Sequence, residues 1–524
     1  MNAGSDRSAV RLAELIGTLS LATDLGLGQP MEHCLRSTLL ALRLGESVGL
    51  DEAERARTYY FGLLAWVCCH ADSHEQAFWF GDDIAARADT YEVDMAGLPM
   101  LAFMLRHVGA GAAPAARARK LGSLVAGGMK DVEGFDMTHC LLAATLASRL
   151  GLGPEVADAL MQAFERWDGR GVPKGLEGDE IAASVRLVQL TEIVEVFHRL
   201  GGVEAAVEVA RKRRGTQFDP RLVDRFCERA PELLAELDTA SSWDAVIGAE
   251  PGLGGTLSEP ELDSALEAVA DFTDLKSPYT AGHSRGVANL AAEAARRGGM
   301  PDAEIKPIWR AGLLHDLGRV GIPNTIWDKE GPLAPAELER VRLHPYLTER
   351  MLAFSPTLSR LGAVAAQHHE RLDGSGYPRG VSASALSPAA RILAAADVYH
   401  AMTEPRPHRA ALSPERAADE LRAEARAGRL DGDAVQAVLR AAGHRVSGRR
   451  EFPAGLTPRE VEVLALVARG HSNKEIASRL YVTPKTVANH VEHIYTKIGV
   501  SSRVAATLFA TQHALLGGFE PAES

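Results

Sequence analysis

The chain repeats itself. Residues 162–175 align without a gap to residues 367–380, a shift of 205 that carries Pro173 onto Pro378, His139 onto His344 and Glu192 onto Asp397. Further upstream a shift of 250 carries His33 onto His283 and residues 63–66 onto residues 313–316. The first copy therefore holds 250 − 205 = 45 extra residues between Trp66 and His139, among them a flexible-looking stretch at 108–117. An internal repeat governs architecture before any local propensity does, because whatever fold one copy takes the other takes too. Apolar residues recur three and four apart, punctuated by Gly and Pro, and strand-like alternation is scarce, so both copies are expected to be all-α. Stretches rich in Gly, Ser and Glu at 239–260, and polar and basic at 443–455, read as linkers. They divide the chain into 1–238, 261–442 and 456–524.

The two copies differ in their chemistry. The second carries His283, the pair His315–Asp316, His344, the pair His368–His369 and Asp397, on apolar helical stretches at 282–297, 311–317, 361–371 and 390–402. Imidazoles and carboxylates without cysteine suit a borderline-hard first-row metal such as iron, manganese or zinc. Seven such ligands are too many for one ion and enough for two that share a carboxylate. The first copy has Ala65 and Trp66 in place of His315 and Asp316, and Ala163 and Phe164 in place of His368 and His369. It keeps only His33, His139 and Glu192, and reads as a metal-free copy retained for its fold, to sense a ligand, to dimerise or to restrain its partner.

The ordered set in the second copy resembles the HD-GYP family of metal-dependent phosphohydrolases over roughly residues 262–439. The residues carrying the resemblance are 279–285, 313–319, Gly321-Ile322-Pro323, His344-Pro345, 368–378, Ala396-Asp397 and Arg406-Pro407-His408-Arg409. The resemblance implies that Asp316 bridges two divalent first-row ions, iron or manganese foremost. His283, His315 and Asp397 then complete one coordination sphere, and His344, His368 and His369 the other. It implies a hydrolytic water activated at neutral pH by the metals. It casts Asp316 and Arg319 as catalytic, and Arg319, Gly376, Tyr377 and Pro378 as binding the substrate. Arg319 stands where the family has Lys, and a guanidinium is not a neutral replacement for an ammonium. Tyr279 stands where some relatives place a Glu that recruits a third metal, so two ions at most are expected. The implied substrate is cyclic di-GMP or a related nucleotide. A silent, nucleotide-sensing site and an HD hydrolase acting on another phosphoester are the alternatives.

Residues 456 to about 516 resemble the LuxR-type helix-turn-helix, a four-helix domain. The resemblance rests on Leu456-Thr457-Pro458-Arg459-Glu460, on 468–477, Leu480 and 482–487, and on His490-Val491, 497–500 and Ser502-Arg503. Thr457 caps a helix with Pro458 in its first turn and Glu460 as the capping-box acid, and Gly470 ends it. Thr483 caps a recognition helix at 484–498, whose first residues would meet base edges. Lys474, Lys485, Thr486, Asn489 and Lys497 are the candidate contacts to double-stranded DNA. Ala488 and Glu492 stand where relatives often carry a base. An apolar face of Val504, Leu508 and Leu515 predicts a homodimer.

A net charge of −12 excludes a protein that coats nucleic acid by overall charge, and leaves room for a locally basic module. The five cysteines, Cys34, Cys68, Cys69, Cys140 and Cys227, form no ligand or redox motif. Asp6, Arg7, Arg11 and Glu14 interrupt any apolar signal core, and apolar runs such as 61–69 are too short to span a bilayer, so a cytoplasmic protein without membrane contact is expected. The combined expectation is a DNA-binding regulator that carries a phosphodiesterase.

Overall fold

The computed structural model describes residues 10–124, 129–235, 241–252, 255–444, 453–480 and 482–513, together with Leu237 and Leu515. Among them no strand forms, and helices account for the fold, with only isolated bridges between loops. The chain divides into a unit ending at His444 and a second beginning at Arg445.

The repeat is visible element by element in the first unit. His33–Ser47, Glu52–Leu64 and the short 3-10 turn Val67–His70 match His283–Arg297, Asp302–Leu314 and Leu317–Gly321. Local geometry repeats as well. Asp24 accepts the backbone N–H of Cys34 at 2.9 Å, as Asp274 accepts that of Ser284 at 2.9 Å. The residue before each first histidine adopts φ of 80°, a left-handed conformation that costs Gly282 little and is uncommon for Glu32. Glu165 and Glu370 each accept two backbone N–H groups from the loop that follows, Glu165 from Lys174 and Leu176, Glu370 from Arg379 and Val381.

The two copies share one apolar core, which corrects the reading of 239–260 as a linker. Helix Ser242–Gly248 lies inside that stretch and buries Trp243 and Val246. Trp243 packs on helix Leu12–Gly26 at Gly17, where a β-carbon would come within 2.9 Å of the indole ring. That helix is buried on almost every face and meets elements of both copies. Gly26 faces Val320, and Gly321 faces Leu25. Gly and Ser content suggested a tether; one aromatic side chain facing a glycine makes it a junction. Of the stretch at 443–455, residues 445–452 lie outside the described residues.

The extra segment of the first copy forms helices Ser73–Phe80, Asp83–Thr90, Gly97–His107 and Pro114–Ser123. Trp79, Phe103, Met104, Val108 and Leu124 give it a small core of its own. The stretch at 108–117 expected to be flexible is therefore tied down, with Val108 fully buried and Pro114 opening a helix.

The second unit is a four-helix domain: Pro458–Ala468, Asn473–Arg479, Pro484–Ile498 and Arg503–Gln512. Leu456, Val461, Leu464, Ile476, Val487, Ile494 and Ala506 fill its centre. The Thr457–Glu460 capping box forms, and Ser472 and Glu475 make a second one that the sequence reading passed over. Thr483 caps the third helix through the N–H of Thr486 at 3.2 Å. Gly470 takes φ of +89° at the end of the first helix.

Candidate metal centre and nucleic-acid interface

The His-Asp pair sits where a helix ends, not within one. Asp302–Leu314 stops at His315, its C-cap, and Asp316 opens the 3-10 turn Leu317–Gly321. Gly318 lets that turn lie against the backbone of His344, at a spot a β-carbon would have to share with its carbonyl oxygen. His368 and His369 likewise fall in a turn after helix Pro356–Ala365, which corrects their placement on a helical stretch at 361–371. The break matters because two consecutive helical residues point about 100° apart. In the turn both rings reach the same side, with centroids 4.1 Å apart. Asp397 alone comes from mid-helix, in Pro388–Thr403.

All seven side chains converge, and they converge in two groups. Asp316 Oδ2 lies 3.5 Å from His315 Nε2 and 3.9 Å from His283 Nε2, while its Oδ1 lies 3.4 Å from His344 Nε2 and 3.6 Å from His368 Nε2. Asp397 Oδ1 lies 3.2 Å from His283 Nε2, and its Oδ2 3.8 Å from His369 Nδ1. His283, His315 and Asp397 form one cluster able to hold an ion, and His344, His368 and His369 another.

The orientation of the rings tests whether cations fit. His315, His344 and His368 each place Nδ1 2.6–2.7 Å from a backbone carbonyl three residues earlier, so Nδ1 carries the proton. Their Nε2 lone pairs then point inward. His315 Nε2 is buried and without a hydrogen bond, and the Nε2 atoms of His344 and His368 face each other at 3.1 Å. Lone pairs so placed repel unless a cation lies among them. Burial lowers His344 to about 4 and His368 to about 3, so both are neutral and ligand-ready at pH 7. Burial opposes ionisation of Asp316, but the charge around it, the Arg319 guanidinium included, outweighs burial and holds the carboxyl well below the usual range.

Around this centre stand residues that sequence reasoning did not single out. Burial opposes the charged form of His283, but Asp397 and Glu404 outweigh it and raise the ring to about 9. Its Nδ1 lies 2.8 Å from Glu404 Oε2. His283, His400 and Glu404 form a further cluster of potential ligands, but Arg406 already presents a guanidinium there, 3.0 Å from Glu404 Oε2 and 3.3 Å from His283 Nδ1. Nothing in the repeat points to Glu404, since its counterpart in the first copy is Arg199. Glu370 was findable, because Glu165 recurs at the same place.

Arg319 donates to Asp316 Oδ2 at 3.0 Å and stacks on the Trp327 ring at 3.9 Å. The 374–380 loop meets the site at His369, the one of the seven residues that is not fully buried. Tyr377 stacks on His369 with centroids 4.7 Å apart. Gly376 lies so close to the chain that a β-carbon would come within 2.4 Å of the Arg371 nitrogen. In the first copy the equivalent space holds rings: Trp66 packs on Phe164 at 5.5 Å and near His139 at 6.1 Å. His33 there ion-pairs with Glu195 at 2.6 Å.

In the second unit Lys485 and Asn489 are exposed on the third helix, and Lys474 is exposed at the start of the second. Thr486 shares its hydroxyl with Thr483 at 2.8 Å, so it serves the cap. Lys497 differs from expectation. Its ammonium is tied to Glu460 at 2.7 Å at the far end of the helix, where it braces the domain. Val504 and Leu508 are exposed, whereas Leu515 packs against the domain's own core and leaves the expected apolar face.

Comparison with known proteins agrees with both units. Residues 267–434 match the HD domain family, and residues 454–510 match the bacterial regulatory proteins of the luxR family. A 3'3'-cGAMP-specific phosphodiesterase of Vibrio cholerae is 31% identical over 76% of this chain and 88% of its own. The cyclic di-GMP phosphodiesterase response regulator of Xanthomonas campestris pv. campestris is 34% identical over 51% of this chain and 72% of its own. A crystal structure of a cyclic GMP-AMP specific phosphodiesterase of V. cholerae covers 84% of this chain and 99% of its own, with 26% identity and a TM-score of 0.58. No described helix is long and apolar enough to cross a membrane. With its ligand clusters, its doubled helical architecture and these relatives, the chain belongs to the HD-GYP phosphodiesterases, metal-dependent hydrolases, and carries a LuxR-type DNA-binding domain at its carboxyl end.

Proposed function

We propose that this protein hydrolyses a 3',3'-cyclic dinucleotide, cyclic di-GMP or cyclic GMP-AMP, at the centre built by the second copy, and couples that nucleotide to transcription through its LuxR-type domain. The observation that carries the reading is the two-sided Asp316, one oxygen toward His283 and His315 and the other toward His344 and His368. His283, His315 and Asp397 would hold one divalent ion and His344, His368 and His369 the other, with Asp316 shared. Iron or manganese fits the mixed imidazole and carboxylate donors. The ions would supply Lewis-acid polarisation of the phosphodiester and hydroxide at neutral pH.

The chain's own residues do the rest. Arg319 offers a guanidinium beside Asp316, positioned to exchange that carboxylate for a phosphate oxygen. Trp327 holds the guanidinium plane from behind. Tyr377, Gly376 and Pro378 close the exposed side, and the Tyr377 ring, packed at a tilt on His369, offers a face to a base. Both relatives named above act on cyclic dinucleotides, which supports this substrate class. The first copy, with Trp66, Phe164 and His139 packed where ligands stand in the second, is metal-free and structural. Pairing through Val504 and Leu508 gives the DNA-binding unit its two-fold symmetry, and nucleotide and DNA together put the protein in the cytoplasm.

The test is a turnover assay on purified full-length protein under reducing conditions with Mn²⁺ or Fe²⁺, offering both cyclic dinucleotides. A linear dinucleotide or mononucleotide product supports the reading. Tight nucleotide binding without product overturns hydrolysis in favour of a sensor.

A further inference from the structure

The second copy contains a buried ammonium that it does not neutralise itself. Lys276 is 1% exposed, and its ion pair is with Asp83 of the first copy, Nζ to Oδ2 at 2.9 Å. Asp83 is fully buried, opens the helix Asp83–Thr90 in the extra segment, and also holds Arg87 at 3.0 Å. Its other oxygen accepts the backbone N–H of Asn324 at 2.8 Å. Asn324 donates to the Lys276 carbonyl at 2.5 Å and to Asp328 at 2.9 Å, and Asp328 takes Ser277 at 2.6 Å and His74 of the first copy at 2.8 Å. One aspartate thus ties together two loops of the second copy: 276–280, which leads into His283, and 322–328.

The second loop reaches the reaction. Asn324 begins the single turn Asn324–Trp327, whose Trp327 donates its indole N–H to the Arg319 carbonyl at 3.3 Å and carries the Arg319 guanidinium on its face at 3.9 Å. A buried lysine left without its carboxylate is strongly unfavourable, so the loops need the first copy in place. The extra segment that supplies Asp83 has no counterpart in the second copy.

We propose that the metal-free copy completes the active site of the other: Asp83 is a positioning residue that acts through Asn324 and Trp327 to hold Arg319 at the metal centre. The proposal rests on the phosphodiesterase reading for its kinetic consequence but not for its geometry. A small displacement of a substrate-facing group is enough to cost one to two orders of magnitude in rate.

The experiment is a double-mutant cycle in the full-length, manganese-loaded protein, using D83A, R319A and both together. D83A should lower kcat about tenfold or more, change KM little and keep its metal. In the R319A background the same change should cost almost nothing, since its route is already cut. The surface variant H74A should repeat the pattern with a smaller loss, and it carries the test if D83A does not fold. Trp327 emission, isolated as the difference from W327F, should change in D83A or H74A as the stacked guanidinium departs. That readout decides the matter even if the wild-type protein proves to turn over nothing, which would sink the phosphodiesterase reading alone. Equal losses of kcat in both backgrounds, loss of activity only in step with loss of metal, or an unchanged Trp327 signal in folded D83A or H74A would each overturn the proposal.

Discussion

The Nε2 atoms of His344 and His368 face each other at 3.1 Å, while each ring donates its Nδ1–H to a backbone carbonyl. Two lone pairs at that distance need a cation. Purified protein should therefore hold close to two first-row ions per chain, by elemental analysis. Asp316→Ala should lose most of them, because that carboxylate faces both clusters, one oxygen toward each. His33→Ala should lose none, and equal loss from the two variants would refute the division into a metal-binding and a metal-free copy.

Arg319 meets both Asp316 and the Trp327 ring. Arg319→Ala should cut kcat about a hundredfold, the range for removing one preorganised charge from a transition state. Arg319→Lys should keep or raise the rate, since a lysine restores the residue that the family resemblance implies at this position. A lysine variant as poor as the alanine one would mean that the planar, stacked guanidinium is itself required.

In the DNA-binding unit, Lys485 and Asn489 are exposed on one helix four residues apart, so they share a face. Lys485→Ala should weaken binding to every sequence and flatten the salt dependence by about one counterion. Asn489→Ala should relax preference at particular base pairs, by about 1–3 kcal/mol against the wrong base. Lys497→Ala should lower the melting temperature of the domain before it changes affinity, because its ammonium holds Glu460. Quantitative footprinting at several salt concentrations separates the three.

Val504 and Leu508 stand one turn apart, 80% and 57% exposed. Val504→Asp should shift the protein toward monomer in analytical ultracentrifugation and abolish two-fold footprints with half-sites about 10 base pairs apart. Full operator symmetry retained by a monomeric variant would place the dimer contact elsewhere.

His139, buried in the first copy, donates Nε2–H to the Ala65 carbonyl at 2.6 Å, and burial lowers the ring to about 4. In the unfolded chain it takes a proton near pH 6.5. The unfolded state therefore binds more protons below 6.5, and stability falls as pH drops from about 6.5 toward 4. His139→Leu should remove that part of the slope in urea titrations between pH 7 and 5. An unchanged slope would show that the ring already ionises in the folded protein.

Much of this molecule was readable in one dimension. The gapless match of 162–175 to 367–380 gave the doubled fold, because a shared pattern of apolar positions and turn glycines buries the same faces. The convergence of seven His and Asp side chains was legible as well, since few other roles put such side chains into apolar surroundings in that order. The Thr457 and Thr483 caps of the DNA-binding unit were legible because each hydroxyl bonds to groups three residues away, and such contacts lie wholly within local sequence. What the sequence hid are contacts between distant segments. Nothing local marks Glu404 as the partner of His283, or Lys497 as the partner of Glu460, because an exposed and a paired charge look alike until the chain is packed. The stretch at 239–260 read as a tether until Trp243 met Gly17. Asp83 and Lys276, 193 residues apart, become one ion pair only because tertiary packing excludes water from both, and burial turns an ordinary aspartate and lysine into a bond between the two copies.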